Sequence, residues 1–168
     1  TPQAGPVAVS GATGAVGMLA VAILSRLGYP VVALTRREDF AGTLRSLGAA
    51  EVMTTAGVAE ATRPLEKGRF AAAIDNVGGE VLSWLLRSLL PSGLVAAVGN
   101  ASGIALATNV LPFILRQAHL FGVVANAPWP QRHRLWSLLA GDWKPDLATL
   151  WPHVRQIGLH DLPGHCRR

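Results

Sequence analysis

At 168 residues, half of them hydrophobic and only 15% charged, the chain is long enough to bury a core as one domain and too apolar to be disordered. Its apolar runs are short and broken by Gly, Pro or charge, far below the roughly 20 residues of a membrane span, and Val7–Val9 is too brief for a signal-peptide core. The net charge of +5 comes from scattered arginines (Arg26, Arg45, Arg63, Arg87, Arg116, Arg155) with no run and no interleaved aromatics, which argues for a solvated basic surface rather than a nucleic-acid surface.

A cytoplasmic domain with no membrane contact is therefore expected. The lone cysteine, Cys166, excludes an internal disulfide and a zinc site built on paired cysteines. The sequence opens at Thr1 without a methionine and enters an apolar run within six residues, as a domain cut from a longer polypeptide would.

Pro6–Ser10 reads as a strand buried on both faces. Gly11-Ala-Thr-Gly-Ala-Val-Gly17 follows, then a helix over Met18–Leu27 closed by Gly28. Pro30–Thr35 is a second strand, and Asp39 is placed to cap a helix that runs through Leu47 to Gly48. Glu51–Thr54 and Arg69–Asp75 are the third and fourth strands. Asn76-Val-Gly-Gly79 turns into a helix over Val81–Leu90 that Pro91 ends, and Gly93–Val98 is a fifth strand. Strands alternating with helices predict a parallel, doubly wound Rossmann-type sheet covered on both faces. Farther on come a helix over Pro112–Gln117, a strand over His119–Ala125, and helices within Gln131–Leu139 and Asp146–Gln156. The nucleotide-binding domain is expected to span residues 1–161, with 162–168 a tail that is truncated or foreign.

The first turn carries the chemistry. Gly11 permits a tight turn, Gly14 leaves room for the backbone to approach a pyrophosphate, and Gly17 lets the helix pack on its strand. With Thr13, Ala15 and Val16 these residues open a helix whose unpaired N–H groups attract phosphate. The end of the second strand selects the nucleotide. An NAD site carries Asp or Glu there to hold the ribose hydroxyls, whereas this chain has Thr35-Arg36-Arg37. A guanidinium pairs with a 2′-phosphate that a carboxylate would repel, so the expected cofactor is NADP(H), with Glu38 able to neutralise one arginine. The turns at Asn76-Val77 and Gly99-Asn100, at strand ends, are expected to line the nicotinamide half. Asp75 reads as a structural cap.

Other residues carry less. His119, His133, His153, His160 and His165 lack metal-ligand spacing, so no metal is expected. Trp129, Trp136, Trp143 and Trp151 read as core or helix-packing residues. Ser10 and Ser102 stand outside any Gly-x-Ser-x-Gly frame.

Gly11–Gly17 with Ala33-Leu-Thr-Arg-Arg37 also suits extended short-chain reductases and their sensor relatives. A Tyr-x-x-x-Lys pair is missing, however: the single tyrosine is Tyr29, and Lys67 and Lys144 are far from it. Leu47-Gly-Ala49, Arg63-Pro-Leu-Glu-Lys67, Ala73-Ile-Asp-Asn-Val-Gly-Gly79 and Leu111-Pro-Phe-Ile-Leu-Arg116, in that order, resemble the cofactor domain of the zinc-independent medium-chain dehydrogenase/reductases. The likeness is to their acrylyl-CoA reductase and quinone oxidoreductase-like branch, over roughly Gly5 to Leu159.

The resemblance implies a β-rich catalytic domain alongside this one, and hydride delivery from NADPH to the β-carbon of an activated alkene. The substrate would be a small-molecule enone, acyl-CoA or quinone. It carries cofactor contacts onto Gly14 to Val16, Thr35, Arg36, Asn76 and Gly99. Three departures stand out: the N-terminal catalytic domain is absent from this chain, Asn100 replaces a small apolar residue, and Leu162–Arg168 lacks the expected closing helix and strand. A fragment with these gaps is expected to bind nucleotide without turnover, and its uncovered apolar surface allows a homodimer. An NADP-binding sensor, a short-chain-type reductase and a non-catalytic fragment remain the alternatives.

Overall fold

The structure, a computed structural model, describes residues 1–61 and 63–165. Six parallel strands form one sheet in the order β3-β2-β1-β4-β5-β6: β1 (Val7–Val9), β2 (Val31–Thr35), β3 (Glu51–Thr54), β4 (Phe70–Asp75), β5 (Leu89–Ala97) and β6 (His119–Gly122). This is the doubly wound Rossmann order, in which the chain reverses direction across the sheet between β1 and β4. The expected fold class is therefore observed.

Period-2 alternation explains why both faces are covered. Val31 and Ala33 join Val9, Val21, Leu44 and Leu47 in one apolar cluster. Their neighbours Val32 and Leu34 point the other way, into a second cluster with Phe70, Leu82, Leu85, Leu86 and Val95. Helices α1 (Ala15–Arg26) and α2 (Ala41–Ser46) supply the first layer, and α3 (Gly79–Arg87) supplies the second. Complete burial of a side chain such as Leu85 contributes about 1.5–3 kcal/mol. The Phe70 and Trp84 rings meet edge to face at 5.6 Å within that second layer.

Helix ends follow the glycines. After α1, Tyr29 N–H donates to Leu24 C=O and Gly28 N–H to Ser25 C=O, with Gly28 at φ +82. The same pair of bonds closes α2 around Gly48. These satisfy carbonyls that a helix end leaves free.

Several elements differ from the sequence expectation. Asp39 does not cap α2: it sits in a 3-10 turn, Glu38–Phe40, and no side chain caps the helix after it. The third helix stops at Arg87, because Ser88 C=O accepts from Arg69 and Phe70 and Leu89 pairs with Phe70. Pro91 therefore lies inside β5, where the register shifts between the Phe70–Leu89 and Ala72–Leu94 pairs and Ser92 takes φ +59. The last strand is shorter than expected.

Helix α4 (Leu111–Arg116) is close to expectation, and α5 (Trp129–Ala140) extends past it at both ends. Asp146 caps α6 (Leu147–Leu150) by accepting from Ala148 N–H at 2.9 Å, but Pro152 follows and only a 3-10 turn continues. Trp129 and Trp136 are exposed, not core, since α5 buries no residue, and Trp151 is exposed in the 3-10 turn after α6; the well-buried tryptophan is Trp84. A single turn, α7 (Leu162–His165), opens the tail, and Cys166 to Arg168 lie outside the described residues.

Candidate functional site

The crevice at the carboxyl ends of the strands is where a ligand can enter an open α/β sheet. Two adjoining recesses occupy it. The first, of about 130 Å³, is bounded by Gly11 and Thr13 on the glycine-rich turn, Thr35, Arg36 and Arg37 at the end of β2, and Thr55 beyond β3. The second, of about 380 Å³, runs past Gly14, Ala15, Val16 and Gly17 at the start of α1 to Asn76 and Gly99. Gly11, Thr13 and Val77 line both, which makes them one continuous cleft.

The glycines of the first turn have separate jobs. Gly11 adopts φ +57, a conformation that favours glycine. A Cβ on Gly17 would collide with the Gly11 carbonyl oxygen and lie 2.7 Å from Ala12 Cα, so close helix–turn packing requires its absence. Gly14 differs from both. Its backbone is extended (φ −81, ψ 163), and a Cβ there would meet only the Gly11 oxygen at 3.3 Å. Apart from its neighbours in the chain, nothing else in the protein lies within 4 Å of that point, so the position is more open than Gly17. Beside it the N–H groups of Ala15, Val16 and Gly17 begin a 12-residue helix and have no intrahelical acceptor.

At the end of β2, the buried Thr35 turns the chain by accepting Arg37 N–H on its Oγ1 at 2.9 Å. Arg37 is then engaged twice, 3.5 Å from the Asp39 carboxylate and 3.8 Å over the Phe40 ring. Glu38, the residue expected to neutralise an arginine, is not the partner. Arg36 has no hydrogen bond or ion pair among the described residues and lines the first recess, and no acidic residue lines it.

The far side of the cleft is built by two interlocked turns. Gly78 bridges Gly103, Ser102 N–H donates to Val77 C=O at 2.7 Å, and a Cβ on Gly99 would strike the Asn76 backbone. Asn100 is the one candidate that lines neither recess: it is exposed, and its Cα and Cβ pack on Gly78. Its part is to shape the turn. Leu34, Thr55, Val81 and Ser102 line the first recess, and Val98 and Ala101 the second, without having been singled out from sequence. Thr55 had a signal, since it follows the strand that pairs with β2 and its N–H donates to Thr35 C=O.

Comparison with known proteins decides the family. A family model described as zinc-binding dehydrogenase matches residues 15–141, more than half of the chain. The chain belongs to this family. Within it, this dehydrogenase-family chain is similar to acrylyl-CoA reductase AcuI of Ruegeria pomeroyi, 42% identical over 166 residues, covering 98% of this chain and 50% of the relative.

Among solved structures, YhdH of E. coli K-12 with bound NADPH superposes with a TM-score of 0.93 at 42% identity, over 99% of this chain and 51% of that one. Bacillus subtilis YhfP, solved with NAD bound, gives 0.90 at 38% identity over 98% and 50%. The chain thus spans about half the length of the relatives it matches. It corresponds to the cofactor-binding domain of the zinc-independent acrylyl-CoA and quinone oxidoreductase-like branch. Among the described residues, no three of His, Cys, Asp and Glu come together as a metal site. No helix among them is long and apolar enough to cross a membrane.

Proposed function

We propose that this chain is the NADP(H)-binding half of a reductase of activated alkenes, acting on an enone, an acyl-CoA such as acrylyl-CoA, or a quinone. The observation that carries the cofactor choice is the unengaged Arg36 beside a recess with no acidic lining residue. Likeness alone cannot carry it, because one relative was solved with NADPH and another with NAD.

The residues fit a dinucleotide. Gly14 leaves the cradle open, and the N–H groups of Ala15, Val16 and Gly17 offer donors and partial positive charge to a pyrophosphate. Gly11 and Thr13 would flank it. Thr35 and Arg36 would hold the 2′-phosphate, with Arg37 adding charge at the rim. Asn76, Val77 and Gly99 would line the nicotinamide half, and Asn100 would support Gly78 in the adjoining turn. When bound, NADPH supplies the hydride that an alkene conjugated to a carbonyl accepts at its β-carbon. This chain's part is to bind and orient. The groups that stabilise the developing enolate would be supplied by the other half seen in the longer relatives.

A cytoplasmic setting and a homodimer complete the reading. Strand β6 is a sheet edge, and Phe121, Val123 and Val124 are exposed along or just beyond it, which supports edge pairing with a second copy. Light scattering of the purified chain tests this, with a concentration-independent monomer the contrary result. The cofactor assignment is tested by titrating NADPH and NADH into the chain. Tighter binding of NADPH, by about tenfold or more, is expected from a charge-assisted contact to the 2′-phosphate. Equal affinities would overturn it.

A further inference from the structure

A buried carboxylate sits beneath the cleft, at the point where its three turns meet. Asp75 ends β4 and is fully buried, with a hydroxyl and backbone N–H groups as its partners. Ser10, also fully buried and the residue before Gly11, donates its hydroxyl to Asp75 Oδ1 at 2.6 Å. That hydroxyl oxygen in turn accepts Asn76 N–H at 2.9 Å, while Asn76 Nδ2 donates to Ser10 C=O at 2.7 Å. The second carboxylate oxygen accepts Gly78 N–H at 2.8 Å. The backbone carbonyl of Asp75 accepts from Val98 and Gly99 at 2.7 and 3.2 Å. One residue therefore ties the entry to the glycine-rich turn, the Asn76–Gly79 turn and the turn after β5.

Desolvating a carboxylate is costly unless donors replace water, so this arrangement needs a reason beyond packing. Ser10 O–H and Gly78 N–H are both donors aimed at separate oxygens. An amide in place of the carboxylate would satisfy one and confront the other with an NH2 group. From this we propose that Asp75 is a positioning residue. Locked by Ser10, its carboxylate fixes the Asn76–Gly79 turn where it can meet the nicotinamide half of the dinucleotide, and couples that turn to the one that holds the pyrophosphate. The proposal rests on the dinucleotide reading above and adds a residue that does not itself line the cleft.

The test compares two ligands on four proteins: the unaltered chain, Asp75→Asn, Ser10→Ala and the double variant. NADPH spans both halves of the cleft, whereas adenosine 2′,5′-bisphosphate reaches the Arg36 side and the glycine-rich turn but lacks the nicotinamide half. Asp75→Asn should weaken NADPH by about tenfold, roughly the loss of one hydrogen bond to a charged group, with the bisphosphate changed less than about twofold. Ser10→Ala should give a smaller split of the same kind. The double variant should lose no more than Asp75→Asn alone, because the two residues act as a unit. Emission from the bound nicotinamide should also fall in the variants, a change that lowered stability by itself would not produce. Equal weakening of both ligands, or unchanged NADPH affinity, would overturn the positioning role. Should Asp75→Asn fail to fold, Ser10→Ala, which removes one oxygen, decides the matter alone. An unaltered chain that binds neither ligand would remove the dinucleotide reading and this proposal together, whereas binding of both without a split in the variants removes only this one.

Discussion

The Arg37 guanidinium lies 3.5 Å from the Asp39 carboxylate and stacks over Phe40, while its neighbour Arg36 has no ion pair among the described residues. Two adjacent arginines that look interchangeable in sequence thus stand in different electrostatic situations. An arginine already paired and stacked must give up part of those contacts to serve a ligand. A free one at a recess does not.

Arg36→Ala should therefore weaken NADPH binding by roughly 10- to 100-fold, the equivalent of losing hydrogen bonds to a charged phosphate at about 1.5–3 kcal/mol. NADH, which lacks the 2′-phosphate, should bind nearly as before. Arg37→Ala should cost less than Arg36→Ala, because Arg37 is already paired with Asp39 and stacked over Phe40. The measurement is a fluorescence titration of both nucleotides against each variant. Parallel losses of NADPH and NADH in Arg36→Ala would show that the arginine serves the fold or the general field instead.

Gly14 and Gly17 should respond oppositely to a side chain. Gly17→Ala places a methyl against the Gly11 carbonyl and Ala12 Cα, with backbone rather than a movable side chain in the way. Such overpacking costs about 1–3 kcal/mol or more, so the melting temperature should fall. Gly14→Val meets little in the protein and has a backbone compatible with a branched residue. It should keep its circular dichroism spectrum and melting temperature while losing both dinucleotides, since the branched group would occupy the pyrophosphate's space. A stable Gly14→Val variant with normal affinity would mean that the phosphate does not approach this turn.

Arg116 supports a different kind of test. Its Nη1 donates to the carbonyls of Arg87 and Leu89 at 2.7 and 2.8 Å, and its Nη2 to that of Glu66. The guanidinium thereby pins α4 to the irregular start of β5, at the end of the sheet away from the cleft. Arg116→Ala would strand these acceptors, at a cost of roughly 3 kcal/mol, or about 6–12 °C in melting temperature. Lysine should rescue it poorly, because a point charge cannot reproduce a planar fork. NADPH affinity at a temperature where the variant is folded should be unchanged. A shifted affinity would contradict the separation of clamp and cleft.

The parts of the molecule legible in sequence are those with a local cause. Gly11 and Gly17 announce the turn because each meets a backbone constraint within a few residues. Pro30–Thr35 announces a strand by its continuous apolar run, and in the structure every residue of Val31–Thr35 is buried. Gly28 and Gly48 mark helix ends by left-handed geometry.

Misread segments depend on distant partners. Nothing near Pro91 says that Leu89 pairs with Phe70, nor that Arg116 will hold its carbonyl. Asp39 is the exception with a local cause: it has the chemistry of a helix cap but pairs with Arg37, two residues before it. The tryptophans of α5 look like core because they are large and apolar, whereas burial depends on what packs against the helix. In the cleft the same division holds: the glycine turn and Arg36 were readable, while the role of Asn100 in supporting Gly78 required the fold.

The last prediction concerns turnover. Hydride transfer requires an acceptor held at near-attack distance from the nicotinamide, in a site that excludes water. Here the second recess opens along Gly14, Val16, Asn76 and Gly99, and the chain spans about half of the relatives that it matches. One wall of a cleft can bind a cofactor, but it cannot fix an acceptor against it. The 168-residue chain should therefore bind NADPH and leave acrylyl-CoA and quinones unreduced. NADPH oxidation at saturating acceptor, followed at 340 nm in a standard absorbance assay, measures this, with the full-length Ruegeria pomeroyi acrylyl-CoA reductase as the positive control for the acceptor. Joining to this chain the half of that relative that it does not match should raise the rate by several orders of magnitude, since positioning alone can supply about 7–11 kcal/mol. Robust turnover by the chain alone would show that it carries its own catalytic groups, and the division of labour between two halves would fall.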